Sequence, residues 1–99
     1  MPPVSYEICF FNAATRAFDA WLSRRCHEAL STEAHKAWRS APPENRAEVA
    51  RTQLANFLSG ALAGAQAAGD EVVAEIIEDD VDFAAIADKW LRGVSEDGR

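Results

Sequence analysis

The run "PPENRAEVARTQLANFLSGALAGAQAAG", residues 42–69, constrains the fold more than any other stretch of the chain. Ala47, Ala50, Leu54, Phe57, Leu58, Ala61 and Ala65 recur in it at helical spacing. Pro42 or Pro43 suits the first turn, Glu44 favours the N-terminal end, and Gly69 suits a left-handed cap. A helix over 43–68 is therefore expected, about 39 Å long at 1.5 Å per residue. A rod of that length with one apolar stripe needs other elements to cover it. Beside the stripe lie Gly60, Ala63, Gly64 and Ala67. A mid-helix glycine costs about 1 kcal/mol relative to alanine. Two of them four residues apart predict the close approach of another helix or of a Trp ring, and they also offer a face for a homodimer.

The remaining patterns are mostly helical too. Phe18, Trp21, Leu22, Cys26, Ala29 and Leu30 give a helix over 13–30 with Asn12 as its N-cap. Ser31 or Thr32 caps a short helix over 32–40, with Ala34, Ala37 and Trp38 inward and Pro42-Pro43 as its stop. Arg25 breaks the first pattern, because at 100° per residue it falls inside the apolar stripe. It either snorkels at the stripe's edge or meets a partner carboxylate there. "VSYEICFF", residues 4–11, alternates as a strand does. No second strand is expected beside it, so it is an extended arm, an edge that pairs with another chain, or the first turns of a helix capped by Ser5. The fold class expected is all-α: one domain over 1–93, a small bundle of four or five helices with a short N-terminal arm or strand over 1–11.

The acidic stretch "EDDVDF", residues 78–83, sits at a joint in this scheme. The four β-branched residues Val72, Val73, Ile76 and Ile77 permit a buried strand that could pair with residues 4–11, but their spacing and the Asp70 cap favour a helix over 71–79 in which they form one face. Continuing that helix would put Asp80 in the middle of its apolar stripe, so it ends near Asp79. A new helix over 83–92 opens with Asp82 as N-cap, and Val81 and Ile86 have the spacing of a hydrophobic staple. Phe83, Ile86, Ala87, Trp90 and Leu91 face inward, Asp88, Lys89 and Arg92 face out, and Gly93 closes the helix. Residues 94–99 form a disordered tail. Glu71, Glu75, Glu78 and Asp79 then lie opposite the valines and isoleucines, with Asp80 beside them. They are either a solvated face of an acidic protein or a docking surface.

Charge favours certain partners. The net is −6, divided as +1 over residues 1–52 and −7 over residues 53–99. An acidic chain does not suit general binding to phosphate backbones; it suits a basic partner. Motifs for chemistry are missing. An EF-hand read from Asp80 has Ala84 and Ala85 where it needs a ligand and a glycine. Cys9, Cys26, His27 and His35 follow no zinc spacing, and no phosphate-binding or nucleophile-elbow pattern occurs. No metal or cofactor is expected. The two cysteines read as buried thiols, and Met1-Pro2-Pro3 opens no signal peptide. No run is long and apolar enough for a membrane, so the expected location is the cytoplasm.

The sequence thus predicts a small, acidic, non-enzymatic protein-interaction module. It acts as a regulator or inhibitor that binds a basic protein surface through Glu71, Glu75, Glu78, Asp79 and Asp80. One alternative is a nucleic-acid-binding accessory protein using Arg16, Arg24, Lys36 and Arg39. A second is a small enzyme, or a subunit of one, with Cys26 or His27 reactive.

Overall fold

The computed structural model describes residues 12–97, with side chains as far as Val94. The expected arm over 1–11 lies outside the described residues. Within them every regular element is helical. Asn12 opens helix α1 (Ala13–Arg25), its Oδ1 accepting from the Thr15 N–H at 2.8 Å. Helix α2 (His27–Ser40) follows after a single non-helical residue, Cys26. The expected break at Leu30–Ser31 does not occur. The Leu30 N–H bonds the Cys26 carbonyl, and Leu30, Ala34 and Ala37 form one buried row that runs through the expected cap. The stop moves back to Cys26, a bend that neither Pro nor Gly announces.

A 3-10 turn (Pro43–Asn45) leads into helix α3 (Arg46–Ala67). It ends as expected at Gly69, whose φ is +84°. The Gly69 N–H bonds the Gln66 carbonyl and the Asp70 N–H bonds the Ala65 carbonyl, the paired bonds of a Schellman motif. Helix α4 (Phe83–Asp97) starts on Asp82, whose Oδ1 accepts from the Ala85 N–H at 3.0 Å. Val81 and Ile86, the two residues of the expected staple, are both buried. Gly93 does not close α4. Val94 beyond it is buried, and that burial offsets the cost of a mid-helix glycine, so the supposed tail is helical through Asp97.

No helix forms over 71–79. Residues 71–75 make turns, 76–77 are extended, and Glu78–Asp80 form a 3-10 turn. Four β-branched residues weaken a helix here. Like charges at Glu71/Glu75 and Glu75/Asp79, four apart, would weaken it further. Val73 is buried and Ile76 half-buried, whereas Val72 and Ile77 are exposed, so the four do not share a face.

Helices α2, α3 and α4 pack against one another pairwise, and α1 lies against α2 and α4. Leu30, Leu54, Leu58, Leu62, Val73 and Ile86 are fully buried at the centre. Phe18 seals the α1 side, stacked on Trp21 and edge-on to Phe83, each at 5.9 Å. No helix among the described residues is long and apolar enough to cross a membrane.

Candidate functional site

The acids expected to meet a partner sit on a strap, residues 70–82, that folds back along α3. Ser59 and Gln66 are seven residues apart, so they lie on the same side of α3. Gln66 Nε2 donates to the Val73 carbonyl at 3.0 Å and to the Ile76 carbonyl at 2.6 Å. Ser59 Oγ donates to Glu78 Oε2 at 2.9 Å. The strap therefore runs antiparallel to the second half of α3. Its far end is tied to α1: Asn12 Nδ2 donates to the Asp80 carbonyl at 2.7 Å, and the Asp82 N–H donates to the buried Thr15 Oγ1 at 3.0 Å. Sequence reasoning overlooked Ser59 and Gln66. The signal was present, since they are the only strongly polar side chains in "FLSGALAGAQAAG" and share one face.

Asp70 holds the near end. Its Oδ1 accepts from the Val72 N–H at 2.9 Å, and its Oδ2 accepts from Trp21 Nε1 at 3.1 Å. It caps one turn rather than the expected helix. Arg25 Nη2 stands 3.9 Å from the same Oδ2, yet the Arg25 side chain is 63% exposed. Both readings of Arg25 thus apply: a carboxylate stands near it, and it stays in water at the edge of the stripe. Desolvation pushes the Asp70 carboxyl up, but the Trp21 indole, the Val72 and Val73 N–H groups and Arg25 outweigh it. The net position lies below the ordinary 3.8.

Glu71, Glu75, Glu78, Asp79 and Asp80 are all exposed. They do not line one helical face, because the segment is not a helix. The strap instead brings them together on one surface segment, with six acids and no base over residues 70–80.

A second polar knot joins α1 to α4. Asp19 is buried, accepts from Lys89 Nζ, and accepts from Trp90 Nε1 at 3.3 Å. His27 packs edge-on to Trp90 at 5.4 Å. Lys89 is exposed, as expected, and is also half of this pair. Every buried polar side-chain atom among the described residues has a partner.

The remaining candidates are scattered. Arg16 and Arg24 lie on α1, Lys36 and Arg39 on α2, beyond the bend at Cys26 and interleaved with Glu28 and Glu33. Cys26 is half-buried, and His27 next to it is exposed. Among the described residues no three His, Cys, Asp or Glu side chains gather as a metal site. Cys9 lies outside them. An open groove of about 320 Å³ is lined by Trp38, Ala47, Asp88, Leu91 and Arg92, with Arg51 3.6 Å from Asp88. Gly60 and Gly64, expected under a close neighbour, have none among the described residues: a methyl group built on either meets nothing within 4 Å.

No family model, no curated protein and no solved structure matches the chain.

Proposed function

We propose that the chain is a small, non-enzymatic protein-interaction module that binds a basic protein surface through the acidic strap. The observation that carries this reading is the fastening of exposed acids. Glu71, Glu75, Glu78, Asp79 and Asp80 project from a segment pinned by Gln66, Ser59, Asp70, Asn12 and Thr15. A floppy acidic loop would lose conformational entropy on binding; a pinned one has lost most of it already. Such a surface suits a regulator or inhibitor that occupies cationic sites otherwise open to phosphates. Association should be fast and salt-sensitive, because exposed charges are screened beyond about 8–10 Å at physiological ionic strength.

The test is to capture the partner from the source organism and measure binding kinetics at two salt concentrations. The Glu75→Lys/Glu78→Lys variant should associate more slowly, with dissociation little changed. Unchanged association by this variant returns the acids to a purely structural and solubilising role.

A further inference from the structure

Val72 and Ile77 are the large apolar side chains most open to solvent among the described residues, 53% and 62% exposed. Exposed aliphatics are ordinary when scattered. These two both fall inside the acidic strap, while their neighbours Val73 and Ile76 turn inward. The strap lies along the Ser59–Gln66 side of α3. One step round the helix from that side, Gly60, Ala63, Gly64 and Ala67 are exposed. Two exposed aliphatics and a row of carboxylates thus lie on the strap, and a strip of exposed small residues lies on the adjoining side of α3.

We propose that this surface seats a basic amphipathic helix of a partner protein. Its apolar stripe covers Val72, Ile77 and the small-residue strip, and its Lys and Arg face Glu71, Glu75, Glu78 and Asp79. The inference rests on the strap being a docking surface and adds the chemistry of what docks. A purely cationic partner leaves Val72 and Ile77 in water. A purely apolar one desolvates carboxylates without a counter-charge, which is costly. A second copy of this chain brings its own acids against them. A basic amphipathic helix satisfies both the aliphatics and the acids. The lack of bulk at Gly60 and Gly64 lets its axis approach toward the short end of the usual range, about 8–10 Å.

The test is a calorimetric titration of the full chain at two salt concentrations with two synthetic Leu/Lys peptides. One is patterned as an amphipathic helix of about five turns; the other has the same composition in an order that forms no apolar face. The patterned peptide should bind about tenfold tighter or more. Val72→Ser/Ile77→Ser should bring it down to the level of the scrambled peptide, with salt dependence retained. Gly64→Leu, a change on the other side of the strip, should weaken the patterned peptide alone. Glu75→Lys/Glu78→Lys should abolish both. Equal affinity for the two peptides, both lost in Glu75→Lys/Glu78→Lys, overturns the amphipathic-helix inference and leaves the acidic docking reading standing. Binding by neither peptide, or binding that Glu75→Lys/Glu78→Lys leaves unchanged, overturns both. A dimer of the chain alone, dissociated by Val72→Ser/Ile77→Ser in sedimentation, gives the strip to a second copy and overturns the inference.

Discussion

Arg24 and Arg25 are neighbours with different surroundings, and the difference is smaller than the helical wheel implies. A buried Arg25 would strand a charge when its partner is cut; the actual side chain is mostly in water beside Asp70. Solvent screening reduces such a pair, so Arg25→Ala should cost less than about 1 kcal/mol and Arg24→Ala less than about 0.5 kcal/mol. Chemical denaturation of both variants checks this. Asp70→Asn should lower the melting temperature more than Arg25→Ala, because Asp70 also serves the Trp21 indole and the Val72 N–H. The folded-state pKa of Asp70 is depressed. Its contribution is therefore full above the unfolded value and is lost as pH falls below 3.8 toward the folded value. Stability of Asp70→Asn should fall less steeply than wild type over that acidic window, and parallel curves would contradict the assignment. Asp19→Ala removes the acceptor of Lys89 and of the Trp90 indole at a buried position, and should cost about 1–3 kcal/mol in the same denaturation assay.

The strap is the element whose behaviour departs most from local pattern. Its valines and isoleucines have helical spacing, yet Gln66 engages the Val73 and Ile76 carbonyls and turns the segment along α3. Gln66→Ala should cost about 1–3 kcal/mol and speed amide hydrogen exchange over residues 72–80. Unchanged exchange there would mean that Ser59, Asn12 and buried Val73 suffice to hold it. In α3 itself the glycines carry the opposite prediction from the one spacing implies. With nothing among the described residues over Gly60 or Gly64, each Gly→Ala change should stabilise by about 0.4–1 kcal/mol through helix propensity and the unfolded chain. Thermal melts that fall instead would reveal a close neighbour on that face.

For the whole molecule, helix should dominate the far-UV circular dichroism spectrum, and a single strand-type minimum would contradict the fold. Glu75→Lys/Glu78→Lys should leave that spectrum unchanged and lower the melting temperature only slightly, since Glu75 faces solvent and the exposed Glu78 loses a single surface bond from Ser59. The sequence by itself determined the parts of this fold that depend on neighbours along the chain. Apolar spacing placed α3, and the caps Asn12, Gly69 and Asp82 placed helix ends, because these caps act through bonds spanning three to five positions. It also supplied the acids. Tertiary structure alone decided the bend at Cys26, the run of α4 past Gly93 and the path of the strap. Those depend on contacts between residues far apart in the chain, such as Trp21 with Asp70, Asn12 with Asp80 and Asp19 with Lys89. Local pattern contains no term for such contacts. At 71–79, where helix propensity is weak and charges repel, the bonds from Gln66, Ser59, Asn12 and Thr15 and the burial of Val73 accompany the strap in place of a helix.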